Sequence, residues 1–270
     1  VTGCSSGIGA WCARALKADG WRVFATARKP DDIKALTRDG LEALYLDYAR
    51  PQSIADAVGK VLDLTGNRLD ALFNNAAVGP NVITDNPYGA PPKFWEVNPY
   101  SVLRMMEVNA AGPQLMAAAA APYMIEQGAG RIVNVTTAMD AMYAPGMGAY
   151  GPSKAALEAL TAIMAKDLDG TGVTANVLIP GGPADTRMIP QATGIPREAL
   201  IPPEAMAAPA VWLASDASEG RSGLRIVAAL WDEVLPPDAR LEKASAPCAW
   251  PQLGRQAILP AGVAHQGGPR

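Results

Sequence analysis

Histidine is almost missing from this chain. Its only copy, His265, lies close to the end of 270 residues, and enzymes working near neutral pH usually take their proton chemistry from imidazole, so a histidine-based mechanism is all but excluded. Cysteine is scarce as well. Cys4, Cys12 and Cys248 show no metal-ligand spacing and cannot all pair. No metal site is expected, Cys4 and Cys12 read as packing residues, and a reducing, cytoplasmic setting fits. No apolar run reaches the roughly 20 residues that span a bilayer, and the most hydrophobic helical stretch is broken by Gln114, Pro122 and Glu126. Charge of one sign is not clustered: charged residues make up 18% and the net charge is −3. A basic surface for nucleic acid or an anionic membrane is therefore lacking, and a soluble protein with neither partner is expected.

What is present is apolar content, 49% of the chain, enough to bury one large α/β core. Strand and helix patterns alternate with short connections, as a parallel sheet requires. Residues 7–19 carry Ile8, Trp11, Cys12, Ala15 and Leu16 at helical spacing and stop at Gly20. Strands are expected at 21–27, 41–46, 69–73, 131–135, 173–179 and 224–229. Helices are expected near 31–38, 51–65, 101–127, 151–168 and 203–214, with Pro51 suited to a first helical turn. The chain starts at Val1 without a methionine, and its first residues read as the end of a strand, so a start inside the first strand is expected. Residues 232–270 are Pro-rich and weakly periodic and read as a tail on the surface or on a neighbouring subunit, leaving 1–231 as a single catalytic domain.

The first strand-to-helix turn, Thr2-Gly3-Cys4-Ser5-Ser6-Gly7-Ile8-Gly9, places three glycines where a chain must turn sharply, admit a pyrophosphate and pack a helix close to the sheet. The following helix start faces the phosphates. After the next strand, Ala27 stands where an NAD site has its acid, and Arg28 follows, which favours NADP(H) over NAD(H). Asp31 and Asp32 lie beyond Pro30 and read as the N-cap and first-turn acid of a helix. Farther on, Tyr150 precedes Lys154 by four residues, one helical turn. A neighbouring ammonium would pull a tyrosine below its usual value of about 10, making it an acid–base group.

Together these residues resemble the short-chain dehydrogenase/reductase family over about 1–230. The turn matches TGxxxGxG, and Asn74-Asn75-Ala76-Ala77 matches NNAG with Ala77 for the glycine. Asn109, Tyr150 and Lys154 fall at the catalytic asparagine, tyrosine and lysine, and Pro180-Gly181 matches the PG turn. The resemblance implies a Rossmann-type, doubly wound parallel α/β sheet in a single domain. It also implies a dinucleotide held by Gly3, Ser5, Ser6, Gly7, Ile8, Arg28, Asp47, Asn75, Ala76, Tyr150, Lys154, Pro180, Gly181 and Thr186. The implied reaction interconverts a ketone and a secondary alcohol. Tyr150 moves the proton, Thr137 polarises the substrate oxygen, Lys154 holds the nicotinamide ribose and Asn109 holds a water leading to solvent.

Two departures stand out. Thr137 replaces the family's usual serine, keeping the hydroxyl but adding a methyl, while Thr136 should face the other side of its strand. The spacing from Asn75 to Asn109 is also longer than is usual in the family. The excess falls in 78–98, read either as a surface excursion or as a wall of the substrate pocket. Residues 181–200 read as an apolar, mobile lid hinged at Gly181 and Gly182. With Trp95, Met139, Met142, Tyr143 and Met147 placed near the site by sequence, a hydrophobic or aromatic carbonyl is the expected substrate. Ala-rich helix faces and the resemblance point to a homodimer or homotetramer. A non-catalytic dinucleotide-binding regulator, or an epimerase or dehydratase on this fold, are the alternative readings.

Overall fold

The computed structural model describes residues 1–251, so His265 and the rest of 252–270 lie outside the described residues. Seven strands and nine α-helices are described. In chain order they are α1 (Gly7–Ala18), β1 (Phe24–Ala27), α2 (Pro30–Arg38), β2 (Glu42–Tyr45), α3 (Pro51–Thr65), β3 (Ala71–Asn74), α4 (Pro99–Met106) and α5 (Gly112–Gln127). There follow β4 (Gly130–Val135), α6 (Met139–Met142), α7 (Tyr150–Asp167), β5 (Val173–Ile179), α8 (Ala207–Ala214), β6 (Leu224–Val227), α9 (Pro237–Ala244) and β7 (Ser245–Pro247). Prolines open α2 and α3 at positions where the missing N–H is harmless, and α3 stops at Gly66 in the left-handed region.

β1 pairs with β2, and β3 to β6 form a parallel ladder in chain order, closed by antiparallel β7. Residues 1–4 join the two pieces. Thr26 N donates to Val1 O, Cys4 N to Thr26 O and Thr2 N to Phe73 O, so this short extended run lies between β1 and β3. Alternate side chains then leave opposite faces of the sheet. Phe73, Val133 and Leu178 pack against α1 and α8 through Cys12, Leu16, Ala210 and Leu213. Leu72, Ile132 and Ala175 pack against α3, α5 and α7 through Ile54, Met116 and Met164. β4 and β5 are buried along their whole length, as central parallel strands covered by helices on both faces must be. Each fully buried Phe, Leu or Ile there contributes about 1.5–3 kcal/mol.

Two expectations need correction. The helix expected to run unbroken through 101–127 widens into a π turn at Glu107–Ala111, the turn that carries Asn109. The stretch read as a tail from 232 onward adds α9 and β7 to the fold, with β7 extending the sheet beside β6. Cys248 N bonds Gly223 O at 2.8 Å, and Trp231 packs on Trp212 with its other side under Arg240.

Candidate active site

A cleft of about 470 Å³ opens at the carboxyl ends of the parallel strands, where a doubly wound sheet binds its ligand. Gly3, Ser5, Ser6, Gly7 and Ile8 form one wall. Gly3 and Gly7 have φ of +70° and +56°, and a Cβ at Gly9 would come 2.5 Å from the Gly3 carbonyl oxygen, so all three glycines are required by the backbone. Ser6 makes no capping bond to α1. The first-turn amides are thus left for an anion, and the cradle fits a dinucleotide pyrophosphate.

The turn is fixed from behind. Thr2 Oγ1 accepts from Asn75 N and Ala76 N, both at 3.0 Å, while Asn75 Nδ2 donates to Thr2 O at 2.9 Å. Asn75 and Ala76 line the cleft by this bracing, and Ala77 is free of left-handed strain. Beneath them Tyr48 donates to Asn74 Oδ1, Asn74 Nδ2 to Asn134 Oδ1 and Asn134 Nδ2 to Thr161 Oγ1, a buried polar chain from β3 to α7. Arg28 stands exposed at the cleft rim, and Asp47 lines it. Asp31 and Asp32 occupy the first turn of α2, but Lys29 is its N-cap, so Asp31 does not cap.

Thr137, Tyr150, Lys154, Pro180 and Thr186 converge on the same cleft. Tyr150 and Thr137 line the cleft together, while the Thr136 hydroxyl donates to Glu158 Oε2 at 2.9 Å. The expected lowering of Tyr150 by Lys154 is not what the site does. Burial, with Tyr88 nearby, pushes the Tyr150 phenol up to about 12, and the neighbouring Thr137 hydroxyl only partly opposes this. Lys154 Nζ instead donates to Val135 O at 2.8 Å, and burial lowers it to about 8.

Two expected residues stand apart from the cleft lining. Asn109 is fully buried. Its Oδ1 accepts from Val78 N at 2.8 Å, and its Nδ2 donates to Val78 O at 2.9 Å and to Ser153 Oγ at 3.0 Å. The amide braces the loop after β3 against α7, and both its N–H groups are used there. Gly181, at φ +106°, packs its turn on β6, where a Cβ would sit 2.8 Å from Val227; Gly182 lines the cleft instead.

The 78–98 segment is a wall. Pro91 packs on Gly146, Phe94 on Gly148 and Met188 on Gly79, contacts that a Cβ at Gly146 or Gly79 would abolish. Tyr88 and Met147 line the cleft, but Trp95 and Tyr143 are mostly exposed and lie outside it. Of the apolar residues expected near the site, Met142 is buried, and neither it nor Met139 lines the cleft.

Sequence reading missed Tyr88, Arg187 and a buried ion pair. Arg225, on β6, pairs with Glu158 of α7 and also donates to Thr137 O, so one guanidinium ties α7 to the segment after β4 that carries the threonine. Glu158 Oε1 accepts from Ala249 N, linking the segment after β7 to the same point. The signal in the sequence was a charge among apolar neighbours, Glu158 between Leu157 and Ala159 and Arg225 between Leu224 and Ile226.

The short chain dehydrogenase family model matches residues 1–193. An uncharacterized oxidoreductase, YbbO, of Escherichia coli (strain K12) is 34% identical over 187 residues, 69% of this chain. The chain spans 65% of that relative's length. A metagenomic short-chain oxidoreductase crystallised with NADP superposes with a TM-score of 0.64 at 32% identity, covering 79% of this chain and 88% of its own. An actinorhodin polyketide ketoreductase variant with NADPH gives 0.71 at 25% identity, covering 82% and 91%.

Proposed function

The chain belongs to the short-chain dehydrogenase family, and on that premise we propose that it is an NADP(H)-dependent oxidoreductase interconverting a ketone and a secondary alcohol. The observation that carries this reading is the convergence of Thr137, Tyr150 and Lys154 on the cleft that the glycine turn also lines, with Lys154 one turn along α7 from Tyr150. When bound, the nicotinamide supplies or takes up the hydride. The protein's own part is proton transfer and orientation. Tyr150, held up to about 12, stays protonated at neutral pH and is ready to donate to a developing alkoxide, while Thr137 donates to the same oxygen. Lys154, lowered to about 8, is still an ammonium at pH 7 and holds the ribose end of the cofactor.

NADP(H) is favoured by Arg28, an exposed guanidinium at the rim with no carboxylate partner among the described residues. The two neighbours crystallised with NADP or NADPH agree with it. An apolar or aromatic carbonyl suits Val78, Tyr88, Met147, Met188 and Ile189, which line the substrate end. Exposed Leu103, Met106, Leu115 and Ile163 on α4, α5 and α7 support a homo-oligomer, and three buried unpaired cysteines support a reducing cytoplasm.

The test is NADPH consumption against a panel of aliphatic, aromatic and polyhydroxylated ketones, with Tyr150→Phe and Arg28→Ala alongside. Turnover should fall at least ~100-fold in Tyr150→Phe, and the NADPH Michaelis constant should rise in Arg28→Ala. Full activity in the first variant would refute the proton role, and an unchanged constant in the second would refute the cofactor choice.

A further inference from the structure

The segment after Pro180 crosses back over the cleft and is braced from its own far end. Arg197 pairs with Asp185, and its guanidinium also donates to Ile189 O at 2.9 Å and Thr186 O at 3.5 Å. Asp185 N donates to Ile201 O, Ile201 N to Pro183 O and Met188 N to Thr186 Oγ1, so the backbone of 183–189 is set before any ligand arrives. Thr186 is seated over the glycine turn, where a Cβ at Gly7 would come 2.9 Å from its methyl carbon.

That brace aims Arg187 at the opposite wall. Its Nε donates to Ser6 Oγ at 2.7 Å and its Nη2 to Ser5 Oγ at 3.0 Å, spanning the cleft between segments 181 and 182 residues apart. Both partners are neutral hydroxyls, and no carboxylate pairs with Arg187 among the described residues. The guanidinium therefore stands over the uncapped N-terminus of α1, cation facing the positive end of a helix dipole. Two positive groups held face to face across a cleft are mutually repulsive, and the arrangement becomes favourable when Arg187 exchanges its serine bonds for an anion that lies between guanidinium and helix end.

We propose that Arg187 binds the pyrophosphate of the dinucleotide from the lid side, opposite the N-terminus of α1. The proposal rests on the reading of the cleft as a dinucleotide site. It does not rest on the 2′-phosphate preference assigned to Arg28, because NADP(H) and NAD(H) share the pyrophosphate.

NADPH and NADH titrations followed by fluorescence, with ADP-ribose titrations by calorimetry, on wild type, Arg187→Ala, Arg187→Lys and Arg28→Ala test it. Arg187→Ala should weaken all three ligands about tenfold, the scale of one charged hydrogen-bonding group in a partly exposed site. Arg187→Lys should recover part of the loss. Arg28→Ala should weaken NADPH alone; if it does not, the NADP(H) reading fails while the Arg187 result stands. Wild-type affinity of Arg187→Ala for NADPH and ADP-ribose would overturn the proposal. So would a loss confined to NADPH, because that would put the guanidinium on the 2′-phosphate. Arg187 is exposed, so the alanine variant should melt with the wild type.

Discussion

Lys154 is held in the native protein at a cost to stability, and Lys154→Met measures it. Burial lowers its pKa from 10.5 to about 8, whereas in the unfolded chain the lysine keeps its proton up to the higher value. Between those two values the unfolded state binds more protons than the native state, so stability rises with pH across that window and falls as pH drops through it. At pH 7 the native protein carries the buried ammonium, and the shift corresponds to about 3 kcal/mol of destabilisation. Methionine fills a similar volume without the charge but leaves the Val135 carbonyl without its donor, which returns about 1 kcal/mol. Lys154→Met should therefore be about 2 kcal/mol more stable than the wild type at pH 7 while losing turnover. The assay is urea unfolding of both proteins at pH 7, 8, 9 and 10. The wild type should gain about 2–3 kcal/mol on the variant over that range. Tyr150, whose raised pKa makes its contribution fall away as pH climbs from 10 toward about 12, is present in both proteins and cancels in the difference. A difference that stays flat from pH 7 to 10 would refute the reasoning.

Glu158→Gln leaves Arg225 charged and buried without its carboxylate, and should lower stability by about 3–5 kcal/mol. Arg225→Met on top of it should restore part of that in urea unfolding; a loss below about 1 kcal/mol in the single variant would count against the pair. Gly146→Ala must push Pro91 aside, since the added Cβ would sit 2.1 Å from the proline Cβ, at a φ of +80°. The substrate Michaelis constant should rise while NADPH affinity holds; two unchanged constants would return 78–98 to being a surface excursion. Asn109→Ala strands Val78 N and O, and should cost about 2–4 kcal/mol in thermal or urea unfolding.

Much of the site was legible because its groups sit on local patterns. The glycine turn, Asn75, Tyr150 and Lys154 are specified by spacing along one strand end or one helical turn, and the structure brings them to a single cleft. Strand alternation set Thr136 apart from Thr137, and the Thr136 hydroxyl is indeed engaged by Glu158. Arg187, Tyr88 and the Glu158–Arg225 pair were not legible. Their partners lie 181, 62 and 67 residues away, and nothing in a local window records a contact across that distance. The π turn escaped for a related reason. An Ala-rich run scores as plain helix, and only the demand that Asn109 reach Val78 and Ser153 together shows where it widens.

What the sequence determined by itself is the alternation of strand and helix, the phosphate turn, and the four-residue step from Tyr150 to Lys154, all matters of local geometry. The pH at which each group titrates was decided by tertiary structure. Burial pushed Tyr150 up to about 12 and Lys154 down to about 8, against the expectation from their spacing. The physical reason is that a pKa answers to the solvent a fold removes and to where a side chain's hydrogen bond goes. Here Lys154's bond goes to Val135, and only the packed sheet and helix set that direction.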